Sequence, residues 1–176
     1  MSNILVELHV HHGEDGAIAY NALEKPLRFL QSDSDIAVTS NLDAITAPSN
    51  DTPVYTYVKN FRLYLKEAPE GLVTNFRVYL KPRPEAWRGI DIFMVKSSEY
   101  VDATVFGANP LDGFANNANS YTRDNPLELS TALYSDATPG SYGPWIQLQA
   151  RVTKYAEPGV TPYVTLGMDW EQWYPL

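Results

Sequence analysis

Residues 145 to 153 read Trp-Ile-Gln-Leu-Gln-Ala-Arg-Val-Thr, with apolar side chains at the even positions Ile146 to Val152 and mostly polar ones at the odd positions. A period of two marks a strand with one buried and one solvated face, whereas a helix repeats every 3.6 residues and would scatter these side chains around its circumference. After a turn at Glu157-Pro158-Gly159, Val164, Leu166, Met168 and Trp170 alternate with Thr165, Gly167, Asp169 and Glu171. The two segments are expected to pair as a C-terminal antiparallel unit, with Trp170 on the buried face and Trp145 on the polar one. Similar runs at residues 3–10, 35–40, 54–66, 73–81, 90–96, 99–105 and 127–133 are separated by Pro, Gly, Asn and Asp. About nine short strands with long loops make an all-β, antiparallel β-sandwich, immunoglobulin-like or jelly-roll-like.

The single helix candidate, Ala17 to Leu30, carries Pro26, which removes a backbone donor and clashes with the preceding turn. It is read as extended, or one turn at most. Residues 106 to 126 form a stretch rich in Asn, Gly and Pro, longer than an ordinary connection and of the kind that is functional or disordered. A chain of 176 residues suits one domain overall, with residues 1–35 as an N-terminal strand and irregular arm and 36–176 as the sandwich.

One repeat stands out. FRLYLKEAPEG at residues 61–71 returns as FRVYLKPRPEA at 76–86. On strands, Phe61, Leu63 and Leu65 share a face, as do Phe76, Val78 and Leu80, while Arg62, Tyr64, Lys66 and Arg77, Tyr79, Lys81 point the other way. If the strands pair as a hairpin, those six residues merge into one basic, tyrosine-bearing face; if they belong to opposite sheets of a sandwich, they do not. The six are the candidate interface residues. Residues 59 to 96 hold eight of the chain's 13 cations but only four of its 21 carboxylates, so a local net +4 sits in a chain of net −8. Complementary patches of that kind steer assembly of identical subunits, although a solvated sheet face decorated with long side chains gives the same pattern.

Several chemistries are excluded or weakly supported. The absence of cysteine removes disulfides, thiolate metal sites and cysteine nucleophiles. The acidic balance argues against nucleic-acid binding, and no apolar stretch approaches the roughly 18 residues of a membrane-spanning helix. The Met-Ser-Asn start has no basic segment and its apolar run stops at Glu7, so no secretory signal is expected. His9, His11 and His12 cluster near Glu14 and Asp15, but no fourth ligand is in view; exposed polar residues at a strand end are expected, with no metal and no other cofactor. Gly140-Ser141-Tyr142-Gly143 falls one residue short of a nucleophile elbow, there is no phosphate-binding glycine loop, and no catalytic residue is assigned. Trp87 and Trp145 are the candidates for stacking on a sugar, although Tyr and Trp equally favour protein interfaces.

The segment SNDTPVYTYVKNFRLYL, the long polar loop and the ending GPWIQLQARVTKYAEPGVTPYVTLGMDWEQ together resemble the small immunoglobulin-like β-sandwich proteins of bacteriophage virions, found in tails, baseplates and capsid decorations. The likeness covers the C-terminal two thirds and is one of texture; residues 1–35 leave room for an arm reaching a neighbouring subunit. It implies a non-enzymatic virion component made in the host cytoplasm and assembling with other virion proteins and copies of itself. The alternative is a carbohydrate-binding module serving host attachment.

Overall fold

The computed structural model describes residues 5–24, 29, 45–67, 72–81, 88–101, 111–113, 115–130, 139–157 and 165–173. They contain ten strands: β1 (Leu5–His12), β2 (Ile18–Asn21), β3 (Val54–Tyr55), β4 (Lys59–Glu67), β5 (Leu72–Leu80), β6 (Ile90–Ser97), β7 (Asn116–Asn117), β8 (Leu127–Ser130), β9 (Tyr142–Val152) and β10 (Leu166–Trp173). All pairings are antiparallel. Seven strands form the larger sheet in the order β2-β1-β4-β9-β6-β7, with β3 also on β9, and three form the smaller sheet, β10-β5-β8. The chain is an all-β antiparallel β-sandwich.

The alternating residues make the core. Val10, Phe61, Leu63, Leu65, Ile92, Met94, Ile146 and Leu148 from the larger sheet meet Phe76, Val78, Leu80, Leu127 and Leu129 from the smaller, each no more than 9% exposed. Burying each large side chain contributes roughly 1.5–3 kcal/mol before the entropy of ordering is set against it. Trp170 packs half-buried against this core, stacked on Phe76 at 6.0 Å.

The C-terminal pair does not form. β9 lies between β4 and β6, whereas β10 joins β5 in the opposite sheet. Nor is the odd face of β9 wet, because Gln147 and Gln149 are 2% and 1% exposed. A strand buried on both faces belongs in the middle of the larger sheet, and β10, with only one apolar row, suits an edge. The repeat divides the same way: β4 and β5 sit in opposite sheets, so the two aliphatic rows face one core and the two basic rows point out of opposite sides. A merged basic face is therefore absent. In β5, Asn75 stands at φ +54 where two residues oppose one on β10, a bulge that Asn tolerates better than most side chains, and its Nδ2 donates to Glu171 at 2.7 Å.

Of the N-terminal segment, Leu5–His12 is an inner strand and Ile18–Asn21 an edge strand of the larger sheet. Residues 99–101 are loop rather than strand, while 35–40 and 102–105 lie outside the described residues, as does the continuation of β8 to 133. The described part of the long polar loop is held by its own side chains: Asn117 Oδ1 accepts from Asn119 N–H, Ser120 Oγ donates to the Asn117 carbonyl, and Asn125 Nδ2 donates to the Ser120 carbonyl. The loop spans both layers, Ala118 packing into the main core and Leu111 into a second cluster with Val58 and Phe93 on the outer side of the larger sheet.

Three buried amides anchor that second layer. Gln149 Oε1 accepts from Leu111 N–H at 2.7 Å and its Nε2 donates to the Thr56 carbonyl at 2.8 Å. Gln147 Nε2 donates to the Glu99 carbonyl, and the Asn60 amide exchanges hydrogen bonds with the backbone of Val101. Each substitutes for water on backbone groups that the outer layer would otherwise bury unpaired. We expect Gln149→Leu, which keeps the volume but orphans two buried backbone groups, to lower unfolding free energy by about 2–5 kcal/mol in denaturant titration, since each orphaned group costs roughly 1–3 kcal/mol. A change below about 0.5 kcal/mol would contradict this role for the amide.

Candidate functional site

Among the described residues, the layer anchored by the amides covers only part of the larger sheet's outer face. Beyond it, where β1, β4 and the start of β9 run side by side, the outward positions are Glu7, His9 and His11 on β1, Arg62, Tyr64 and Lys66 on β4, and Tyr142 and Trp145 on β9. All but buried His11 are half-buried or exposed.

A bulge brings Tyr142 and Trp145 to one face. Between the pairs Arg62–Trp145 and Tyr64–Tyr142, β4 advances by two residues and β9 by three, so the side-chain parity of β9 flips across Gly143-Pro144. Strict alternation would turn Tyr142 toward the core. Pro144 has no N–H to give the ladder, and the guanidinium of Arg62 takes up the carbonyls at the bulge: Nε donates to the Gly143 oxygen at 2.6 Å, and Nη2 lies 3.5 Å from the Tyr142 oxygen. The guanidinium carbon also lies over the rings of Trp145 and Tyr142, 4.6 and 5.1 Å from their centroids.

Around this bulge the rings interlock. His9 stacks on Tyr64 at 4.4 Å, and its Nδ1 lies 3.0 Å from the Tyr142 hydroxyl. Tyr64 and Tyr142 are 5.0 Å apart, and His11 meets both Tyr142 and Trp145 edge-on at 5.1 and 4.9 Å. Tyr100 packs on Trp145 at 5.3 Å while its hydroxyl donates to the Gly13 carbonyl. Glu7 closes the border, accepting from Lys66 at 2.7 Å and lying 3.1 Å from His9. These hydrogen bonds hold the Glu7 carboxyl below the usual carboxylate range, with Lys66 the larger cause.

The candidate interface residues thus fall in two places. Arg62, Tyr64 and Lys66 belong to the aromatic patch. Arg77, Tyr79 and Lys81 lie on the smaller sheet: Arg77 pairs with Glu171 at 3.5 Å, the Tyr79 ring occupies the space beside Gly167 where a Cβ would stand, and Lys81 is exposed at the strand end. Trp145 is engaged by Arg62, His11 and Tyr100, so its ring is part of the patch's own packing. Trp87 lies outside the described residues. Sequence reasoning weighed His9 only as a metal ligand or an exposed polar residue and missed Glu7, Tyr100 and Tyr142; the signal for Tyr142 was the Gly-Pro pair inside a strand pattern, which marks a bulge. The histidines are not exposed polar residues at a strand end. His11 is 7% exposed, with Nδ1 3.1 Å from the Gly16 carbonyl and, among the described residues, no hydrogen-bond partner for Nε2.

Among the described residues no three His, Asp or Glu side chains are placed to hold a metal ion, and no helix is long and apolar enough to cross a membrane.

Burial, reinforced by the charge of Arg62, pushes the His11 imidazole below its ordinary 6.5, although the Gly16 carbonyl opposes the shift. The folded protein therefore takes up this proton at lower pH than the unfolded chain, whose imidazole titrates near 6.5, so its contribution to stability is complete above that pH and is lost as pH falls below it. Glu7, lowered from 4.5, adds a loss of the same sign at lower pH. We expect the denaturant midpoint to fall between about pH 7.5 and 5.5 and His11→Gln, which keeps a donor for Gly16, to flatten that fall. An unchanged profile in the variant would place the titration elsewhere. No protein-family model, curated protein or solved structure matches the chain.

Proposed function

We propose that this chain is a non-enzymatic structural protein that works by docking to other protein subunits, copies of itself among them, through the aromatic patch on the outer face of its larger sheet. The observation that carries the reading is that, among the described residues, the amide-anchored layer reaches Trp145 through Tyr100 and leaves Arg62, Tyr64 and Tyr142 beyond it only half-buried. Tyr, Trp and Arg are the residues in which binding energy concentrates at protein interfaces. Here they are fixed in place by the bulge, by Arg62 and by His9, so docking would cost little side-chain entropy. The charged border of Glu7 and Lys66 suits the polar rim of such an interface.

The virion setting comes from the sequence resemblance to β-sandwich proteins of phage tails, baseplates and capsid decorations, and it stands or falls with that resemblance. A tail, baseplate or capsid position asks of a subunit what this patch offers: a rigid, repeated contact surface. In such a particle the chain would be made in the host cytoplasm.

Charge reversal at Arg62 would damage the bulge as well as the surface, so the test uses its neighbours. We expect concentrated protein to self-associate in sedimentation-velocity experiments, and Tyr64→Ala combined with Lys66→Glu to weaken association at least about tenfold while leaving the β-sheet circular dichroism intact. Arg77→Glu, on the opposite side of the sandwich, should change little. Association that survives the double substitution, or is abolished equally by Arg77→Glu, would remove the patch as the docking surface.

A further inference from the structure

At the end of the larger sheet, where β6 and β9 run out beside β8, a cleft of about 470 Å³ opens; its described lining includes Arg62, Lys96, Ser97, Ser98, Tyr142 and Leu129. Its wall is unusual for this molecule. The chain has 21 carboxylates to 13 cations, yet the described lining holds two cations and no carboxylate.

The two cations arrive from opposite faces of the same sheet. Arg62 is an outward residue of β4 that reaches across the Gly143-Pro144 bulge to the strand end. Lys96 stands in the inward row of β6, register-paired with Ile146, and a lysine there must extend its stem along apolar surface to bring the ammonium out. It does so at the edge of the sandwich, donating to the Leu129 carbonyl of β8 at 3.0 Å. An ammonium has three donors, and no carboxylate among the described residues pairs with this one. Ser98 is exposed at the rim, while Ser97 Oγ donates to the Glu99 carbonyl and accepts its N–H, fixing the turn that follows β6.

We infer that this cleft is an oxyanion-binding site, taking a carboxylate or phosphate group against the Lys96 ammonium beside Arg62, with the Ser98 hydroxyl at the rim. Charge-assisted hydrogen bonds from a cation held in place are the strong kind, and Arg62 is fixed by carbonyls and rings before any ligand comes. The chain's net negative charge opposes a free anion at long range, but at physiological salt that field is screened beyond about 8 Å while the cleft's own cations act at contact distance. The cleft shares Arg62 and Tyr142 with the aromatic patch, while Lys96, Ser97 and Ser98 lie outside it, so substitutions at Lys96 and Ser98 test the cleft separately from docking through the patch.

Nuclear magnetic resonance titration separates the sources of the anion. Inorganic phosphate should move the amide resonances of Ser97, Ser98 and Gly143 saturably, where sodium chloride at matched ionic strength does not. Lys96→Gln should weaken the response about tenfold, and Ser98→Glu, which puts a carboxylate at the exposed rim, should do the same in case the first variant folds poorly. A capped tetraglutamate peptide forms the second arm: binding tighter than phosphate identifies an acidic protein segment as the ligand, and phosphate equal to or tighter than the peptide identifies a free anion. No saturable shift with either, or shifts indifferent to both substitutions, overturns the site.

Discussion

Burial of β9 on both of its faces is the constraint from which the rest of the architecture follows. Its inward residues Ile146, Leu148, Ala150 and Val152 are no more than 5% exposed, and its outward Gln147 and Gln149 no more than 2%. A strand so placed must have partners on each side and layers above and below. It pairs with β4 and β6, with β3 adding to β9, and the smaller sheet closes one face. The other face is closed by loop backbone, which cannot be buried without hydrogen-bond partners. Glutamine is suited to that place because one side chain both donates and accepts, as Gln149 does between Leu111 and Thr56.

The bulge at Gly143-Pro144 ends this regime within the same strand. On its C-terminal side the outward Gln147 and Gln149 lie under a protein layer; on its N-terminal side Tyr142 swings outward to join Trp145 and the β1 and β4 rings. The same irregularity leaves carbonyls that Arg62 occupies, so one residue both completes the backbone hydrogen bonding and sets the ring geometry. That coupling explains why a cation on a sheet face need not be a solvated one. It also explains the direction of the His11 shift: burial against these rings disfavours the charged imidazole, and the nearby Arg62 charge adds to that.

The fold was legible in the sequence wherever a strand has one buried face. The even positions of β9, the rows Phe61-Leu63-Leu65 and Phe76-Val78-Leu80, and the turn residues between them declare a β-sandwich without further information. Pairing was not legible. Adjacent alternating segments such as β9 and β10 look like a hairpin, and only the second buried face of β9, hidden behind polar glutamines, sends them to different sheets. The repeat was misleading for a related reason. Its near-identity records that β4 and β5 see the same core from opposite sides, so similar environment rather than adjacency wrote the similar sequence.

The candidate site was half legible, and the missing half lay in geometry that period-two reading cannot carry. Arg62, Tyr64 and Lys66 follow from alternation on β4, but Tyr142 reaches their side only through a one-residue insertion, and His9 and Glu7 only through the register of β1 against β4. Charge counting pointed to the right stretch of chain for an incomplete reason. Of the eight cations between residues 59 and 96, Lys66 and Arg77 face carboxylates on neighbouring strands, and Arg62 serves carbonyls and rings, so part of the local excess is an internal structural resource. Lys96 shares the inward row with Ile92 and Met94, as buried Lys59 does on β4, but it stands at the end of β6, where its side chain is exposed.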